Sequence, residues 1–244
     1  MANKILTVPE VIEEQARYYS TGNEWVALPE ITQDGAIHSF NILSERHKGM
    51  LEVRGGAKPL LRAIVQIDGA EAPLERAVWS HAADWLPRFD LAWQGIKIRG
   101  TIFCPGQHRG FVYLLELKNN SGEQRHCSLA WTGSWLETRF TVYRSRRSMG
   151  LNVGWYNRWT RTLTFEHRAG LPALGWAVGL SAPLAEVEWH IADAASEGEV
   201  SNHCGDPLHF YLAKGIYLRP GERSSLALYT AVNNEADGAG TCVI

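Results

Sequence analysis

Several things are scarce in this 244-residue chain. It has no apolar run long enough to span a bilayer. Its opening, MANKILTVPEVIEEQARYY, lacks the apolar core of a secretory signal and turns acidic beyond Thr7. Basic residues are not in excess: 24 Lys and Arg stand against 26 Asp and Glu, a net charge of −2. Neither nucleic acid nor an anionic membrane is therefore an expected partner. Only four cysteines occur, Cys104, Cys127, Cys204 and Cys242, and no two have the CxxC spacing of a zinc knuckle. No metal and no cofactor are expected, and free thiols in a reducing cytoplasm are the simplest reading. There is no GxSxG elbow. No Gly-rich stretch opens a helix after a buried parallel strand, so phosphate-loop and dinucleotide chemistry have no support.

Tryptophan, in contrast, is abundant, with 10 residues. Indoles that fill the space between two large sheets explain most of them. A minority could stack on the C–H face of a sugar or on a partner. Helical periodicity is confined to 8–19, where Pro9 suits a first turn and Val8, Ile12, Ala16 and Tyr19 recur three and four residues apart. From Trp25 the period becomes two. Strands are expected at 37–43, 50–54, 60–67, 96–103, 111–118, 125–131, 161–166, 174–180, 186–191, 208–218 and 224–232. Asp68-Gly69, Asn119–Glu123 and Arg219-Pro220-Gly221-Glu222 are the turn signals. Residues 76–95, with three indoles, read as a loop or short helix, and 193–207 as a long polar loop. The expectation is an all-β protein, a large antiparallel β-sandwich with a short N-terminal helix. Its divisions are a helical segment over 1–24, a single sandwich domain over 25–233, and the start of a linker or connecting helix over 234–244.

Three groups of residues could carry function. In Gly154–Trp159, Asn157 and Arg158 lie between the rings of Trp155 and Tyr156 and that of Trp159. They could stack on and hydrogen-bond to a sugar, or fold back over the core. His203, Cys204, Asp206 and His209 offer imidazole, thiol and carboxylate within seven residues. Their spacing matches no standard metal motif, and a polar pocket at the sandwich edge is the expectation. Glycoside cleavage would need two carboxylates across a bond. Glu116, Glu137, Glu166, Glu186, Glu188 and Asp206 are available, but none has a distinguishing local context and solvated strand faces explain them better.

Two stretches carry a resemblance. Leu218-Arg219-Pro220-Gly221-Glu222, the strand after it and Glu235–Ala239 form one. FVYLLELKNNSGEQRHCSLAWTGSW, 111–135, forms the other. Together they are similar to the N-terminal β-sandwich ("supersandwich") domain of bacterial six-hairpin glycosidases. That group includes debranching enzymes of the amylo-α-1,6-glucosidase type, glucoamylases and sugar phosphorylases. The resemblance implies an accessory, non-catalytic domain associated with carbohydrate. Such a domain packs against a helical barrel that holds the catalytic carboxylates, so the chain would be a part or a single-domain relative of a longer enzyme. An exposed docking face would then favour self-association. The shape is also similar to that of galactose mutarotases, which implies a second possibility: a free-standing aldose epimerase with His203 or His209 as acid and Glu186 or Glu188 as base. A protein-interaction domain without a sugar ligand is the third.

Overall fold

A computed structural model describes residues 19–83, 85–168, 172–183, 186–193 and 203–243. In chain order the strands are β1 (Tyr19–Gly22), β2 (Val26–Ile31), β3 (Ile37–Ser44), β4 (Gly49–Arg54), β5 (Leu61–Ile67), β6 (Ala70–Glu71) and β7 (Val78–Ala82). Next come β8 (Leu86–Trp93), β9 (Ile96–Phe103), β10 (Gly110–Asn119), β11 (Arg125–Trp135), β12 (Glu137–Thr141), β13 (Ser145–Arg147) and β14 (Leu151–Asn157). The series closes with β15 (Thr162–Arg168), β16 (Leu174–Leu180), β17 (Glu188–Asp193), β18 (His203–Cys204), β19 (Leu208–Leu218), β20 (Arg223–Asn233) and the helix α1 (Ala236–Val243).

The strands form two antiparallel sheets. The first has eleven strands, with the spine β13-β12-β4-β3-β5-β11-β19-β17; β2 joins β3, β1 joins β2, and β6 joins β5. The second has nine, in the order β18-β14-β15-β16-β20-β10-β9-β8-β7. The sequence dictates this layering through its period of two. In β5 the alternate residues Leu61, Ala63, Val65 and Ile67 are buried while those between are half-exposed. One face of each strand thus turns inward, and the two inner faces close on each other.

Trp176 of β16 is the hub of that interior. Its ring lies 5.4 Å from Phe40, 5.9 Å from Trp135, 5.1 Å from Phe165 and 5.4 Å from Phe210. Of the ten indoles, Trp131, Trp135 and Trp176 are fully buried, and Trp25, Trp79 and Trp93 are half-buried against the core. Trp85 and Trp159 are instead exposed.

Expected and observed strands coincide over most of the chain, with two departures. Residues 76–95 are neither loop nor helix for the most part: β7 and β8 form an edge hairpin, with His81 opposite Pro87. The proline inside β8 and the 72% exposure of Val78 blur the alternation there. The aromatic segment after Trp135 contains three strands, β12, β13 and β14. The helix expected over 8–19 lies outside the described residues except for Tyr19, which opens β1.

The turn at Arg219–Glu222 forms as expected. Gly221 has φ +79°, and the Glu222 N–H donates to Arg219 O at 3.0 Å. Asn119, fully buried, ties this turn to its neighbour. Its Nδ2 donates to Leu218 O at 2.9 Å and to Glu123 O at 2.7 Å, and its Oδ1 accepts from the Ser121 N–H at 2.8 Å. The two stretches that carried the resemblance are thus joined through one amide. Beyond β20 the chain is helical, and α1 lies against the outer face of the nine-stranded sheet. It fits because β16 is small there: a Cβ on Gly175 would stand 2.6 Å from Ala236 Cα, and one on Gly179 would stand 2.8 Å from Val243 Cγ1.

Candidate functional site

The outer face of the eleven-stranded sheet, turned away from its partner, carries a strip of small residues on β11 and β19, flanked by β5 and β17. Strand β11 buries Cys127, Leu129, Trp131 and Trp135 inward. Its outward positions are therefore His126, Ser128, Ala130, Thr132 and Ser134, mostly small. Register places Ala130 beside Ala213 of β19 and Ser128 beside Gly215. Ala130 and Ala213 are only 4% and 5% exposed although they face away from the core. Longer neighbours stand over them.

Those neighbours are polar or aromatic. At one end Tyr211 sits beside Thr132 and beside His190 of β17, with its ring stacked on that imidazole, the centroids 5.1 Å apart and the planes at 22°. His209 lies one outward position further along. At the other end His126 and Tyr217 pair at 4.7 Å, and the imidazole leans over Gly215. Six residues separate the two tyrosines along β19, about 20 Å at the usual strand rise. On the β5 side stand Arg62 and Gln66. The Arg62 guanidinium is 3.2 Å from Glu71 and 3.6 Å from Asp34. On the β17 side stand Glu188 and His190.

The electrostatics follow from this placement. Burial lowers the His209 pKa from its ordinary 6.5, Lys58 adds to that, and the Gly133 backbone opposes it. His209 is accordingly neutral at pH 7, able to donate through one ring nitrogen and accept through the other. Burial and then the Glu188 charge raise the Tyr211 pKa, so its hydroxyl keeps its proton. Neutral imidazole, phenol, guanidinium, amide and carboxylate around a small-residue floor form a donor and acceptor set with flat ring surfaces.

The candidate residues named from sequence are distributed over several places. His209 and Glu188 share the face that carries the strip. Opposite Ala213, however, Glu188 lies four residues from His209 in register, about 13 Å along the strand. Glu186 is held by Lys214 Nζ at 2.7 Å. His203 is on β18, beside Gly154 in the other sheet, and is buried with Nδ1 unpartnered. Asp206 is 3.4 Å from Arg147. Trp155 faces outward on the nine-stranded sheet, with the Arg168 guanidinium 5.7 Å from its ring centre. Tyr156 packs against Trp189 at 4.8 Å, where the two sheets meet at one edge. Trp159 and Arg158 are exposed in the β14–β15 turn, Trp159 at 93%. The three rings of 155–159 therefore do not form one platform. Glu137 and Glu166 are paired with Arg139 and Arg168, at 2.8 and 2.7 Å. No cluster of three metal-ligating side chains exists among the described residues. Burial pushes the Cys104 thiol up to about 12 and Cys127 to about 11, which withholds both from nucleophilic chemistry.

Tyr211, His190, His126, Tyr217 and Arg62 were not singled out from sequence. The signal was available in phase: within 208–218, His209, Tyr211 and Tyr217 share the alternation opposite Leu208, Phe210, Leu212 and Leu218.

The two antiparallel sheets form a galactose mutarotase-like β-sandwich. The backbone is similar to that of an Escherichia coli K12 protein titled as a candidate aldose 1-epimerase, with a TM-score of 0.53 and 11% identity over 89% of this chain and 99% of that one. A galactose mutarotase-like protein from Lactobacillus casei ATCC 334 aligns at TM-score 0.49 with 8% identity, over 89% of this chain and all of that one. An inverting mannosidase of family GH92 from Bacteroides thetaiotaomicron aligns at TM-score 0.38 with 10% identity, over 87% of this chain and 26% of the enzyme. No family model and no curated protein sequence matches the chain.

Proposed function

We propose that the chain is a carbohydrate-binding β-sandwich whose sugar site is the strip on β11 and β19 with its flanks on β5 and β17. The carrying observation is the floor of Ser128, Ala130, Thr132, Ala213 and Gly215 between two ring pairs, His190–Tyr211 and His126–Tyr217. Ser128, Thr132 and Gly215 stay accessible between the ring pairs, while Ala130 and Ala213 lie beneath their longer neighbours. Aromatic rings offer apolar faces to sugar C–H groups, and Arg62, Gln66, Glu188 and His209 offer hydrogen bonds to hydroxyls. In this reading the protein holds sugar without cleaving it, because Glu188 and His209 stand too far apart to act on adjoining atoms of one ring.

The test is a titration with mono- and oligosaccharides, followed by amide NMR shifts. Tyr211→Ala should abolish binding, and Trp155→Ala on the opposite sheet should leave it intact. The reverse pattern moves the site to 154–159 and overturns the proposal.

One observation favours epimerisation as a second reading. Glu188 and His190 are two residues apart on β17, about 7 Å, with Tyr211 beside them. Polarimetry on freshly dissolved α-glucose and α-galactose decides: a rate above buffer that Glu188→Gln removes supports it.

A further inference from the structure

On the other side of the molecule, three neighbouring strands of the nine-stranded sheet place cations directly opposite one another. Lys118 of β10 is the register partner of Lys97 on β9 and also of Arg223 on β20. All three turn outward, since Ile96, Ile98 and Leu117 take the inward phase. At the usual strand spacing the row is about 10 Å wide. Like charges directly opposite in an antiparallel pair destabilise it, so this row costs stability unless something negative sits on it.

The chain itself supplies little. Asp90 is shared by Arg88, Lys97 and Arg99, at 3.9, 3.4 and 3.0 Å. It serves the β8–β9 side. Lys118 and Arg223 have no ion-pair partner among the described residues. Glu116 lies one outward position further along β10, opposite Arg99 and Ser225. A depression of about 360 Å³ opens over Lys97, Arg99, Glu116, Lys118, Arg223 and Ser225, so one carboxylate shares the lining with four cations. In a protein of net charge −2, this is a local excess of positive charge with serine hydroxyls at its margin.

We infer that this depression binds a tetrahedral oxyanion, a phosphate or phosphomonoester group, through Lys97, Lys118 and Arg223. Arg223 offers a planar fork of donors, the two ammonium groups add point charges, and the Ser225 hydroxyl can donate to a further oxygen. The site is independent of the proposed sugar site, which lies on the outer face of the other sheet.

The test is thermal unfolding of the full chain in sodium phosphate and in sodium chloride at matched pH and ionic strength. The wild type should melt higher in phosphate. Phosphate also stabilises proteins generally by exclusion from their surface, so the decisive quantity is the difference between variants. Lys118→Gln and Arg223→Gln should each lose at least half of the phosphate increment. Arg46→Gln, an exposed change in the β3–β4 turn, should keep it. In chloride, Lys118→Gln should melt no lower than the wild type, because it relieves the repulsion. A purely structural lysine would show the opposite. Titration calorimetry with inorganic phosphate and with glycerol 2-phosphate separates the free ion from the ester; binding of either that Lys118→Gln weakens supports the site. Equal phosphate increments in all four proteins, or no saturable binding of either probe, overturn it.

Discussion

The indole of Trp176 stands nearly edge-on to that of Trp135, with centroids 5.9 Å apart and planes at 74°, one ring from each sheet. The contact clamps the two layers at the centre of the interior. Trp176→Ala should cost about 3–5 kcal/mol, since it removes four ring contacts and leaves a cavity that rigid strands cannot collapse. Urea denaturation followed by circular dichroism measures this. A loss under about 1 kcal/mol would mean that the layers are held elsewhere.

Asn119 makes the second prediction. Asn119→Ala removes the donors to Glu123 O and Leu218 O and the acceptor for the Ser121 N–H, inside a fully buried site. The expected loss is about 2–4 kcal/mol, from unsatisfied buried backbone groups. Hydrogen exchange should rise at both turns together, at 120–124 and at 219–222. A rise at one turn alone would show that the amide does not couple them.

Much of this arrangement was legible in the sequence, and the reasons differ by element. Strands with one wholly apolar phase, such as β5 and β9, declare themselves by alternation. Asn119 and Gly221 declare turns through side-chain chemistry and positive φ. The hairpin β7–β8 was hidden because an edge strand buries little and because Pro87 imitates a loop. The strip was hidden for another reason. A floor is made of small residues, which carry no chemical signal alone, and its walls come from strands about 20 to 150 positions apart whose neighbours only register reveals.

Acid should weaken the fold. His167 is buried between Asn152 Oδ1, at 2.8 Å from Nδ1, and Ser148 Oγ, at 3.1 Å from Nε2. Burial lowers its pKa from 6.5; Asp206 works against this and Arg147 with it. The unfolded chain therefore binds a proton that the folded chain resists. This contribution is whole above the unfolded value of 6.5 and is lost as pH falls from there through the folded value. Burial depresses His209 in the same direction. The melting temperature should fall between pH 7.5 and about pH 5, with a shallower slope in His167→Gln. An unchanged slope in that variant would assign the acid sensitivity to other groups.

Gly175 fixes where α1 can lie. A side chain there meets Ala236 backbone at 2.6 Å. Gly175→Val should lift the helix and leave the sandwich intact. Limited proteolysis should then cut within 236–243, while the cooperative unfolding of the sheets persists. A protected helix in the variant would show that the contact yields without loss of docking.

Strand β11 writes two messages in alternate letters. Residues 127, 129, 131 and 135 hold the interior, and 128, 130, 132 and 134 pave the strip. Because the two sets never share a face, Ser128 and Thr132 can be exchanged while the interior stays as it is, whereas Ala130 and Ser134 are themselves covered. A library randomised at the half-exposed Ser128 and Thr132 would explore new ligands on a scaffold that keeps its fold.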